Sequence, residues 1–175
     1  MSPWEEYPDL WASKSSFFAW LRGGLRRAIW EKYPPKLEFK NSAAYTPPPT
    51  YKGKAKRLGK CALSGDEQPI SKMEVDHIQG HVSLKDWEDV LPFIQHLCAS
   101  KQNMQLVSKE AHKIKSYAEK MGISFEEALI EKQAIQIVKE KKDKQWLQTR
   151  GITPAGNAKA RREQIVNKLK GETSG

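Results

Sequence analysis

The reactive side chains of this sequence gather between Met73 and Ser116: the adjacent pair Asp76 and His77, then Asn103, then His112, followed by Lys113 and Lys115. A neutral imidazole near its own pKa can take a proton from water at neutral pH. A carboxylate with one neutral ligand can hold a hard divalent cation that keeps several waters. Such an ion offsets charge on a crowded transition state and on a departing oxygen. Asp76 and His112 fit as that pair of ligands.

The elements that must position these groups follow from period and caps. Successive side chains on a strand point to opposite faces, so if Val75 faces a core, Asp76 faces away from it. His77 then returns to the buried side unless the strand ends or bulges there. Met104 to Val107 is expected as the returning strand, and Ser108 then caps a helix ending near Gly122. Ala111, Ile114, Ala118 and Met121 form its expected buried stripe, with His112 at the edge.

Val75-Asp76-His77-Ile78, then Asn103-Met104-Gln105-Leu106, then His112-Lys113-Ile114-Lys115 resemble the HNH, or ββα-metal, endonuclease motif. Trp87 with Phe93-Ile94 is similar to the insertion of many phage-encoded members. The resemblance implies an α+β, mostly helical protein with a ββα-metal catalytic module and helical basic extensions. It implies a metal-dependent endonuclease on double-stranded DNA, nicking one strand per active site. Carried over residue by residue, His77 is the general base, Asn103 holds its loop, and Asp76 and His112 bind magnesium, manganese or another transition metal. Lys115, one turn after His112, would contact the phosphate beside Lys113. The rival reading is a noncatalytic nucleic-acid-binding protein that keeps the motif as a scaffold. A second copy or a phage protein is a possible partner.

Many relatives also carry two Cys-x-x-Cys zinc knuckles. The corresponding positions here are Cys61 and Ser64, then Ser108 and Ala111. No tetrathiolate zinc is therefore expected, and ordinary packing must replace it. A residual site from Cys61, His96 and Cys98 is conceivable, but free cysteines more often act as small buried hydrophobes.

Composition bounds the rest. The chain is long enough for one modest core with appended arms, expected as an N-terminal helix and basic extended arm (1–60), the catalytic module (61–122) and C-terminal basic helices (123–175). The net charge of +9 is uneven: residues 61 to 112 hold four basic and eight acidic side chains, so the flanks are strongly positive. That distribution suits a cation-attracting site with arms for a polyanion. No membrane span, signal peptide or disulfide framework is expected, and the expected place is a reducing cytoplasm, the host's if the chain is phage-encoded.

Along the chain, residues 1 to 12 are acidic and rich in tryptophan, with no function assigned. A helix is expected from Ser13 or Ser15 to before Pro34, with Phe18, Leu21, Leu25 and Ile29 as its stripe and Arg22, Arg26 and Arg27 off it. Gly23-Gly24 in its middle costs roughly 1 kcal/mol per residue relative to alanine and suggests a break or a close backbone contact. From Tyr33 to Lys60 an extended segment is expected, with Lys52, Lys54, Lys56, Arg57 and Lys60 as a DNA-backbone arm. Ser83 is the expected cap of a helix through Cys98, kinked or split at Pro92, and His81 and His96 are expected at the surface, His81 as a spare ligand at most. Ser124 and Glu127 open a helix through about Gln148 with Ala128, Ile135 and Val138 on one face. A last helix to Lys170, with only a thin apolar edge at Ile165 and Leu169, is expected to grip DNA through Arg161 and Arg162.

Overall fold

The computed structural model describes residues 1–79 and 82–173, so the expectation for His81 lies outside the described residues. The chain divides into two compact units, Met1–Ala111 and His112–Gly175.

In the first unit, Ser2 precedes a single turn, α1 (Pro3–Glu6), and Ser13 caps α2 (Lys14–Ala28) by accepting the Ser16 N–H at 3.2 Å. Phe17 and Phe18 are buried on α2 while Leu21, Leu25 and Ile29 are half-buried, so the expected stripe faces inward. The helix runs unbroken through Gly23-Gly24. After a short 3-10 turn at Trp30–Lys32, the chain forms α3 (Pro34–Ser42), where an extended segment was expected. Pro34 and Pro35 occupy its first turn, whose N–H groups have no intrahelical acceptor, so the rings start the helix instead of preventing it.

The strands are short. β1 (Leu58–Lys60) pairs antiparallel with β2 (Glu67–Pro69), and β3 (Met73–His77) pairs antiparallel with a fourth strand, β4 (Met104–Ser108). Between them lie a 3-10 turn at Trp87–Asp89 and α4 (Val90–Leu97). Asp86, not Ser83, opens this stretch: its Oδ1 accepts the Trp87 N–H and Asp89 Oδ2 accepts the Asp86 N–H, both at 3.0 Å. Pro92 is third in α4, still in the first turn, so its missing N–H costs no helical bond and produces no split within α4.

The first sixty residues lie within the first unit. The Lys40 ammonium donates to the Met73 carbonyl at 2.7 Å, Tyr45 bridges to Leu58, and Arg57 is tied to Asn41. Burial is the main reason that Lys40 is held below the ordinary lysine range, and Lys36 adds to it. Phe18, Phe93, Met73, Leu84 and Leu97 are among the most completely buried side chains of this unit. Each contributes about 1.5 to 3 kcal/mol relative to exposure.

Ser108 caps α5 (Lys109–Met121), accepting the Ala111 N–H at 3.0 Å, and the division between the units falls within this helix. Ala111 and Ala118 are buried and Ile114 is half-buried, but Met121 is 53% exposed, because the helix ends there at Gly122 with φ of 65°. The Ser124–Glu127 box then opens α6 (Phe125–Lys139). The expected long helix stops at Lys139; Lys141 adopts φ of 58°, and the chain turns into α7 (Asp143–Gln148). α8 (Ala158–Thr173) starts with the Asn157 side chain accepting the Ala160 N–H at 2.8 Å. The core joins Ile130, Ala134, Leu147, Ile165 and Val166. The last helix is thus part of a core and not a thin-edged tail. On α6 the fully buried face passes through Ala128, Ile130 and Ala134, while Ile135 is half-buried.

Candidate functional site

β3 alternates as period two requires, with Met73, Val75 and His77 inside and Glu74 and Asp76 half-buried. The strand stays regular to its last residue, so His77 remains on the inner face, 9% exposed. Its ring stacks against Trp30 (centroids 4.3 Å apart, 25° between planes) and against His96 (4.0 Å, 28°). The Lys36 ammonium lies 4.7 Å from the Trp30 ring centroid and 3.0 Å from Glu31. Tyr33 stacks on Trp30 and donates its hydroxyl to the Cys98 carbonyl at 3.1 Å, tying the turn before α3 to the end of α4.

Asp76 lies on the opposite face of β3, with Gln105 directly across in the strand register. The Gln105 amide donates to Asp76 Oδ2 at 3.2 Å and to the His77 carbonyl at 3.4 Å. Asn103 staples the turn that leaves His77. Its Oδ1 accepts the Gln79 N–H at 2.8 Å, its Nδ2 donates to the Gln79 carbonyl at 3.1 Å, and its own carbonyl accepts the Ile78 N–H at 3.0 Å. At about 0.5 to 1.5 kcal/mol per net hydrogen bond, this fixes the backbone that follows His77. Asp76 and His77 on β3, and Asn103 immediately before β4, are therefore brought together in the first unit.

No family model, curated protein or solved structure matches the chain.

The remaining predicted residues of the chain are placed as follows. His112, half-buried, opens the second unit on α5. Lys113 is exposed, and Lys115 is half-buried, 3.4 Å from Glu119. Lys52, Lys54, Lys56 and Lys60 are exposed, whereas Arg57 is held by Asn41. Arg161 is turned inward: Nε donates to Asp143 at 2.6 Å and Nη1 to the Ala155 and Gly156 carbonyls at 3.0 Å. Arg162 is paired with Glu131, which holds its guanidinium above the ordinary range. Both arginines are engaged by partners within the second unit.

Cys61, Ser64, Ser108 and Ala111 form one hydrogen-bonded cluster. The Ser108 N–H donates to Cys61 Sγ at 3.3 Å, and Ser108 Oγ accepts from Ala111. Burial pushes the Cys61 thiol up, but the Ser64 hydroxyl and the backbone of Ser108, Ser64 and Leu63 together outweigh it and hold the thiol below its usual value. Cys98 is exposed at the end of α4 while Cys61 is buried in this cluster, and among the described residues no three His, Cys, Asp or Glu side chains gather as a metal group.

Sequence reasoning missed Trp30, His96 and Gln105. Gln105 was legible, since period two on a strand opposite Asp76 puts an amide beside the carboxylate. Trp30 carried no local signal, being a helix-end aromatic far away in the chain. His96, expected at the surface, is half-buried on His77.

Proposed function

We propose that the chain is a metal-dependent DNA endonuclease of the HNH type. The single observation that carries this reading is the Asn103 side chain bracketing both backbone groups of Gln79, two residues after His77, while Asp76 sits across from Gln105. A strand pair that ends in an Asp-His pair, an asparagine that pins the following turn, and a helix starting directly after the second strand and carrying His112 are what this chemistry needs in sequence order.

A hard divalent ion fits the donor chemistry of one carboxylate and one imidazole. The Gln105 amide on Asp76 is the kind of supporting contact that orients a ligating carboxylate. Asp76 would hold the ion, and when bound it would supply Lewis-acid stabilisation of phosphate oxygens. His77 takes a proton from the attacking water, its ring angle set by Trp30 and His96 and its backbone by Asn103 and Gln105. The lysines at 52, 54, 56 and 60 are exposed cations available to duplex phosphates. A monomer with one base nicks one strand.

The burial of His77 favours a second reading, in which the motif is a scaffold for a noncatalytic nucleic-acid-binding protein. Incubation with supercoiled plasmid and magnesium or manganese separates the two. Accumulation of open circles that His77→Phe abolishes supports the nuclease. Retarded but uncut plasmid supports the binding protein.

A further inference from the structure

The N-terminal residues build something the nuclease reading does not use. Trp4, Tyr7, Trp11 and Trp20 assemble around Phe17 and Phe18, and Trp87 closes the group from the other side of the sequence, 5.5 and 5.4 Å from those two rings. Phe17 and Phe18 are buried, but Trp20 is 55%, Trp87 50%, Leu91 64% and Leu10 70% exposed. Single exposed apolar side chains are ordinary; a ring-linked cluster is an interaction surface. Tryptophans seated on a rigid base are the side chains that anchor protein interfaces.

A second observation lies on α2 itself. Gly24 is one turn after Trp20, and a methyl group added there would meet nothing within 4 Å. Glycine weakens a helix relative to alanine, and no described residue packs closely enough to require it. Bare backbone beside an exposed tryptophan lets another chain approach closely.

The charge around this face selects the occupant. Glu5, Glu6, Asp9 and Glu88 are exposed, residues 1 to 13 contain no lysine or arginine, and the Lys14 ammonium is engaged by Asp86. In a chain of net charge +9, residues 1 to 13 are an acidic stretch, while the cations of α2, Arg22, Arg26 and Arg27, follow Trp20 toward the end of that helix. The acidic stretch repels a phosphate backbone and attracts lysine and arginine side chains. We propose that the exposed rings of Trp20 and Trp87, with Leu91 one turn after Trp87, dock a basic amphipathic segment of a partner protein, inserting apolar side chains between the tryptophans and setting cations against the acidic side chains of the N-terminal stretch and Glu88. The proposal is independent of the nuclease reading.

Peptide display against the full chain, with the Trp20→Glu variant as counter-selection, tests it. The expected result is enrichment of peptides with net positive charge and apolar residues at helical spacing. A synthesised winner should bind wild type at least ten-fold more tightly than Trp20→Glu and the Glu6→Lys/Asp9→Lys variant. Gly24→Ala should melt at the same or a higher temperature yet bind that peptide at least five-fold more weakly. No enrichment over the counter-selection, enriched peptides of net negative charge, displacement by single-stranded oligonucleotide, or self-association of the chain that Trp20→Glu abolishes would each overturn it.

Discussion

His77 has two jobs that substitution can separate. Its ring stacks on Trp30 and His96, and its nitrogens supply the proposed base. His77→Phe keeps an aromatic plane in the stack and removes the nitrogens, so the protein should fold and bind duplex DNA while cleavage falls by about 10² to 10⁴. Full cleavage by purified His77→Phe would remove the base assignment. Asp76 and His112 differ in kind: Asp76→Ala and His112→Ala should shift activity to higher metal concentration, and titration curves that overlay wild type would reject them as ligands. Asn103 acts through the backbone of Gln79, so Asn103→Ala should lower kcat with the metal midpoint nearly unchanged.

Among the elements, α8 is the one whose role changes most on folding. Ile165 is fully buried with Leu147 and Ala134, and Ile165→Ala should cost about 2 to 5 kcal/mol of the second unit's stability, measured by urea unfolding. Arg161 holds the buried Asp143, and its hydrogen bond is the main reason that carboxyl lies below the usual range. A lowered folded pKa means that the stabilisation is complete above the unfolded value of about 3.9 and is lost as pH falls through the folded one. Arg161→Ala should therefore cost about 3 kcal/mol at pH 7, because a buried carboxylate is left without its cation. The difference between mutant and wild type should shrink once Asp143 is protonated in acid. A constant difference across that range would show that packing of the arginine stem, and not the ion pair, carries the effect.

On the scale of the whole molecule, the basic charge divides into cations that hold the fold and cations that face solvent. Arg161 and Arg162 belong to the first group; Lys52, Lys54, Lys56 and Lys60 belong to the second, and Arg57, exposed but tied to Asn41, lies between them. Replacing those four lysines by alanine should reduce the slope of log affinity against log salt by roughly two to four, at about 0.9 per phosphate contact. An unchanged slope would move the DNA-facing surface elsewhere. The buried Cys61 cluster is held by hydrogen bonds, so a chelator should abolish cleavage and leave the melting temperature nearly where it was. Loss of the folded state on chelation would show that a structural metal supports the protein.

Local chemistry made part of this protein legible in its sequence. Ser13, Ser108, Ser124 and Asn157 cap helices because a short polar side chain can satisfy a first-turn N–H, and that depends only on neighbours. Strand period left two places for His77, the inner face or a strand end that turns it out, and Gly122 ends its helix at positive φ. The tertiary structure decided what depends on distant partners. Trp30 and His96 reach His77 from remote stretches of chain, and Arg161 looked like a surface cation until α7 turned Asp143 toward it. The break at Lys141 has no proline or glycine to announce it; it is set by burial of Leu147 against Ile165. A residue's neighbours in sequence fix its backbone preferences and caps, whereas whether a charge or ring faces water is decided by which remote surface needs covering, and that is a property of the packed chain.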